Sequence, residues 1–258
     1  MGLRCCDCGS VGWVGQKMTA DFPTSKFARL HVGEEFLRSK GIEVLVDDER
    51  LQLHIEVVEV AMNIADWLRC FETNNEDLKL IQVLGIRIFN AFGSSLKLCL
   101  SGYYQNAALI LRDVLETVFL IDLFCRDRSL IAAWRAADRA KRMKQFSPVK
   151  VRTMLDTRDG FTEGKRAGVY SLFSELVGHA TMQSITMLRP NGMDVHCGPF
   201  FDATALEAVI YEMGRLAVQV GEILDIFKGD LGYREQANSD AFGQAKARWI
   251  AEFYPDSA

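Results

Sequence analysis

The stretch "DATALEAVIYEMGRLAVQVGEILDIFK", residues 202–228, decides the fold class. Leu206, Val209, Met213, Leu216, Val220, Ile223 and Phe227 fall on the a and d positions of one continuous heptad. Ile210, Ala217 and Leu224 widen that seam to a three-in-seven face. A face of that width suits a helix in the core of a bundle better than the narrow seam of a free coiled coil.

Helical periodicity continues upstream of this segment. Helices are expected over about 26–39, ending at Gly41, and over 47–71, with His54, Val57, Val58, Ala61, Ala65 and Leu68 on one face. The T-x-x-E spacing of Thr73 to Glu76 reads as a capping box. It opens a helix that carries Leu78, Ile81, Gly85, Ile88, Phe92, Ser95 and Cys99 and closes at Gly102. Further helices follow over 103–126, 129–146, 148–157 and 165–177, with Pro148 suited to a first turn. Asn191-Gly192 is a hairpin signal, so a small β-hairpin or an extended excursion is expected near 183–198. The chain therefore reads as all-α, a multi-helix up-and-down bundle over 26–228. Residues 1–25 are expected to pack poorly, and 229–258 to form a linker and a short terminal helix near 240–252.

Composition narrows the functional classes. The chain has 258 residues, 49% of them hydrophobic, and a net charge of −4, which gives no global attraction to nucleic acid or an anionic membrane. Residues 1–17 lack the apolar core of a secretory signal. The greasiest run, 107–124, is interrupted by Arg112, Asp113, Glu116 and Asp122, so no membrane span is expected. Seven cysteines, four of them scattered singly, suit reduced thiols and a cytoplasmic location. Cys5-x2-Cys8, beside Cys6, resembles half of a zinc ribbon. No second pair follows and His31 is the only nearby supplement, so neither metal nor cofactor is expected. Walker, G-x-G-x-x-G, G-x-S-x-G and H-E-x-x-H patterns are all missing.

The candidate site lies in "LRDVLETVFLIDLF", residues 111–124, where Arg112 and Glu116 stand one turn apart in an apolar run. Arg before Glu is the weaker order for a local helical pair, so stabilising its own helix is a poor reason for it. An inward-facing pair would need partners from another helix. Tyr170 and Ser174, themselves one turn apart, and His179 beyond Gly178 supply such groups. Arg112 would then bind an anionic group, His179 would move a proton and Glu116 would orient one of them. A second candidate is a basic stripe of Arg128, Arg135, Arg139 and Arg142, spaced to share one helix face and followed after the turn by Lys150 and Arg152, as a phosphate or RNA footprint. A solvated helix face gives the same spacing.

With Gly102, Ala108, Leu111-Arg112 and Leu115-Glu116 followed by Tyr170, Ser174 and His179, the chain resembles a bacterial family of helical proteins of unknown function. That family is marked by an Arg-x3-Glu helix and a later Tyr-x3-Ser-x4-His segment. The resemblance spans about residues 78–225 and extends distantly to HEPN domains, found in toxins and phage-defence systems. It implies a nucleic-acid-linked role with RNA or another phosphate-containing ligand as partner; the sequence is also compatible with a homodimer. The HEPN likeness would also imply RNA cleavage through an Arg separated from a following His by four to six residues. Here Leu172, Phe173, Ser174 and Glu175 precede His179 and none is Arg. The alternative expectation is a non-catalytic interaction or regulatory module in which the same residues form a buried network.

Overall fold

The computed structural model describes residues 26–162, 164–229 and 237–255. Cys5, Cys6 and Cys8, the expected N-terminal segment and most of the expected linker lie outside those residues. The elements are α1 (Lys26–Asp47), α2 (Glu49–Arg69), α3 (Glu76–Leu100), α4 (Tyr104–Arg126), α5 (Ser129–Ala136), α6 (Arg139–Gln145), α7 (Pro148–Arg158), α8 (Lys165–Phe173), α9 (Met182–Thr186), α10 (Ala203–Lys228) and α11 (Ala237–Phe253). A π turn, Ser174–Gly178, continues α8. No strand occurs among the described residues.

α10 is the hub. Leu206, Val209, Met213, Leu216, Val220, Ile223 and Phe227 are all buried, as are Ile210, Ala217 and Leu224. This stripe packs against α2 and α4, and less extensively against α3. Its start is pinned by Asp202, whose carboxylate accepts from the Ala205 N–H at 3.0 Å and the Asn191 N–H at 2.7 Å. The Asp202 N–H in turn donates to the Tyr104 hydroxyl at 3.1 Å.

Short connections make α2, α3 and α4 antiparallel neighbours. α10 breaks the expected up-and-down order. Tyr104 meets Asp202 at the first turns of α4 and α10, and the Cys125 thiol reaches the Ile223 carbonyl at their far ends, so the two run parallel. A parallel neighbour cannot be reached by a short loop, and the excursion through α5–α9 carries the chain back to the starting end. α11 closes the outside of α2, with Phe253 stacked on His54 and Trp249 edge-on to it.

Several local expectations are corrected. α1 runs through Gly41 to Asp47. α3 is capped by Asn75, whose side chain accepts from Asp77 and Leu78, and not by Thr73. The single helix expected over 129–146 is broken at Ala137–Asp138, where Asp138 caps α6 through the Lys141 N–H at 2.8 Å. No hairpin forms near 183–198. Asn191 and Gly192 do adopt the left-handed backbone the turn signal requires, at φ 51° and 73°. Their flanks, however, are a helical turn capped by Thr181 and Ser184 and an irregular excursion, joined by the bond from His196 N–H to Leu188 O. By length and composition α3 is the one helix among the described residues apolar enough to cross a membrane. Its Ile81, Leu84, Ile88, Phe92 and Cys99 are buried within the bundle.

Gly102 makes the α3–α4 corner possible. Its φ is +83°, and a Cβ there would lie 2.5 Å from the Phe200 carbonyl oxygen and 2.8 Å from the Phe200 nitrogen. Gly102→Ala is expected to cost about 1–3 kcal/mol from backbone strain alone. Urea unfolding of the variant checks it, and an unchanged midpoint would be incompatible with this corner.

Candidate functional site

Arg112 and Glu116 lie on the α4 face turned towards α7 and α8 because Leu111, Val114, Leu115 and Val118 claim the opposite side for the core. Their ion pair measures 3.2 Å, and the two side chains are 23% and 29% exposed, so it is neither a free surface pair nor a sealed one. Arg112 also donates through Nε to the Ser174 hydroxyl at 3.3 Å and through Nη2 to the Tyr170 hydroxyl. Its guanidinium carbon stands 4.7 Å from the centre of the Tyr170 ring.

The π turn sets this geometry. Ser174 and Val177 are buried, and a Cβ on Gly178 would sit 3.6 Å from Arg112 Nε, in ordinary contact with the guanidinium. Gln105 holds the turn from α4 by donating to the Leu176 carbonyl at 3.4 Å and the Ser184 carbonyl at 3.0 Å. Thr181 Oγ1 donates to the Glu175 carbonyl at 2.6 Å. One extra residue per turn leaves carbonyls that need such outside donors, and π turns recur at functional sites.

The structure thus brings Arg112, Glu116, Tyr170 and Ser174 together. It does not bring His179 into the set. His179 follows the π turn in extended backbone with an exposed side chain and lines a separate cleft of about 610 Å³ with Gln105, Asn106 and Thr181. The basic stripe is dispersed by the break between α5 and α6. Arg128 stacks over the Phe227 ring at 3.7 Å and Arg135 pairs with Asp77 at 2.5 Å. Arg142 lies 5.3 Å from the Trp134 ring, and Arg139 is exposed at the start of α6. His31, the proposed supplementary metal ligand, sits 3.0 Å from Glu34. No group of three or more His, Cys, Asp or Glu suited to a metal occurs among the described residues.

Arg152 on α7, which the sequence offers only as a follower of the basic stripe, belongs instead to this region. It is 7% exposed and stacks on the Tyr170 ring with its guanidinium carbon 3.7 Å from the centre. The same ring therefore carries two guanidinium groups. The available signal was the pairing of Arg152 and Asp156, one turn apart, beside the apolar Val151 and Leu155 of the same helix. Beyond it, Asp156 accepts from Arg166 at 2.9 Å, and Arg158 bridges Asp122 and Asp159. Hydrogen bonds from Arg158, outweighing the effect of burial, hold the Asp159 carboxyl well below the usual carboxylate range.

Comparison of the chain with protein-family models, with curated proteins and with solved structures finds no match.

Proposed function

We propose that the protein is a non-catalytic interaction or regulatory module, in which the Arg112 network braces the π turn against α4. The observation carrying this reading is where the Arg112 donors go. Nε and Nη2 are spent on Ser174, Tyr170 and Glu116, while His179 is exposed in a different cleft. A working Arg–His pair needs both groups directed at one reacting atom, and a general acid or base must come within hydrogen-bond reach of its proton. The break between α5 and α6 interrupts the single helix face that Arg128, Arg135, Arg139 and Arg142 were expected to share, which gives an RNA footprint less support.

Arg112→Ala is expected to lower stability by about 1–3 kcal/mol, because Ser174, Tyr170 and Glu116 lose their donor. Partial exposure of the pair keeps this below the roughly 3–5 kcal/mol of breaking a sealed one. His179→Ala is expected to stay within about 0.5 kcal/mol of the parent, as an exposed position does. Chemical unfolding of both variants, run beside an RNA-cleavage assay, decides between the readings. A stable Arg112→Ala protein that has lost a ribonuclease activity present in the parent would replace the brace with a catalytic site.

A further inference from the structure

Between α10 and the π turn lies a groove of about 480 Å³ whose lining includes no member of the Arg112 network. Its walls are Leu111 of α4, Phe173, Leu176 and Val177 of α8 and the π turn, Met187, and Val209 of α10. Small residues leave the room, with Ala108 on α4 and Ala208 on α10 standing where larger side chains would fill it. The walls are preset. Arg112 and Gln105 hold the π turn from α4, and on the α10 side the Tyr211 hydroxyl is tied to that of Tyr254 at 3.0 Å. A preformed apolar groove of this size with a few polar groups is the usual form of a small-molecule site.

The polar groups sit along one edge, on α10. Thr204, Glu207 and Glu212 are part of the lining, and no Lys, Arg or His is. Glu212 is neutralised by Arg215 at 2.9 Å, whereas Glu207 pairs with no cation among the described residues. Two carboxylates against one guanidinium leave this edge with one negative charge. Thr204 and Glu207, three residues apart on the helix, offer a hydroxyl and a carboxylate as neighbouring acceptors. Phe173, Tyr211 and Met187 give the interior an aromatic and thioether surface, which suits a flat ring.

We propose that this groove binds a small aromatic amine, its ring against Phe173 and Met187 and its ammonium at Glu207. An ammonium carries three donors and no acceptor, so the Glu207 carboxylate and the Thr204 hydroxyl serve it and water takes the third. An anionic ligand would meet Glu207 and Glu212 with no cation in the lining to receive it. Leu176 and Val177 place the bound ring directly on the π turn that Arg112 braces. The inference deepens the non-catalytic reading by naming the class of molecule the module senses, and it rests on that reading for the role of the π turn. Neither Glu207 nor Ala208 belongs to the brace, so a loss of binding in those variants and a loss of stability in Arg112→Ala are separate results.

The test uses the full chain with tryptamine as probe at neutral pH, where an alkylamine is charged. Tryptophol, its uncharged analogue, and indole-3-acetate, an anionic one, are the comparators, read by thermal melting and calorimetric titration. Tryptamine is expected to raise the melting temperature saturably and to bind about fivefold more tightly than tryptophol, the upper end for an ion pair open to solvent. Indole-3-acetate is expected to give no shift. Glu207→Gln keeps the side-chain shape and is expected to weaken tryptamine about fivefold while leaving tryptophol unchanged. Ala208→Phe fills the groove without altering charge and is expected to abolish binding of both. The two positions are exposed, so both variants are expected to melt close to the parent without ligand. No shift in the parent, tryptophol or indole-3-acetate binding as tightly as tryptamine, or a tryptamine affinity unaltered by either substitution would overturn the proposal.

Discussion

Leu216→Ala is expected to destabilise the protein by about 2–5 kcal/mol, the range for truncating a well-packed leucine. Leu216 is buried at 3% exposure in the middle of α10, which packs along both α2 and α4. No single neighbour can collapse into the space without moving a second helix, which places the cost away from the bottom of that range. Gln219→Ala, on the exposed side of the same helix, is the matched control and is expected to change stability by less than about 0.5 kcal/mol. Equilibrium urea unfolding of the two variants measures the contrast. A Leu216→Ala loss no larger than that of the control would mean that this face does not lie in the core.

Stability is also expected to fall by about 3 kcal/mol as the pH is lowered from about 6.5 to about 4. The group responsible is His54, buried at 2% exposure, with its pKa lowered from 6.5 to about 4 by burial and secondarily by the Arg50 charge. The Trp249 indole N–H donates to His54 Nδ1 at 2.7 Å, which requires that nitrogen to be unprotonated. Between the two pKa values the unfolded chain binds a proton that the folded one does not, so stability rises with pH across the window and is lost as pH falls. A separation of about 2.5 units corresponds to about 3 kcal/mol at 1.36 kcal/mol per unit. The space around the ring is fixed as well, since a Cβ on Gly214 would lie 2.5 Å from His54 Nδ1. Protonation therefore loosens α11 from α2 and α10 first, and quenching or shift of Trp249 fluorescence reports it. His54→Gln supplies the baseline: an acid loss of the same size in that variant would assign the effect to carboxylates instead.

Much of the architecture was legible in the one-dimensional pattern. The heptad from Leu206 to Phe227 placed α10 in the core because a helix that is apolar on a broad face has to bury it. Arg112 preceding Glu116 in an apolar run pointed away from a local pair and towards another helix, and Tyr170 and Ser174 are where the chain meets them. These features repeat with the period of the helix itself, so spacing alone carries them.

What the sequence left open depends on groups distant in the chain. The parallel run of α4 and α10 follows from where the α5–α9 excursion returns, and residue periodicity has no term for chain direction. Asn191-Gly192 carried its local signal into the fold as left-handed backbone, yet a hairpin needs two strands to pair, and the Thr181–Ser184 cap had already committed one flank to helix. Four arginines at helical spacing lost their common face when Asp138 restarted the helix. His179 lies next in sequence to Gly178, which touches Arg112, but extended backbone at that residue leaves its side chain exposed in a separate cleft. Arg152 read in sequence only as one more basic residue after the stripe, beside Lys150. Its burial against Tyr170, with every nearby carboxylate claimed by another arginine, is a property of three helices meeting, and only the tertiary structure decides it.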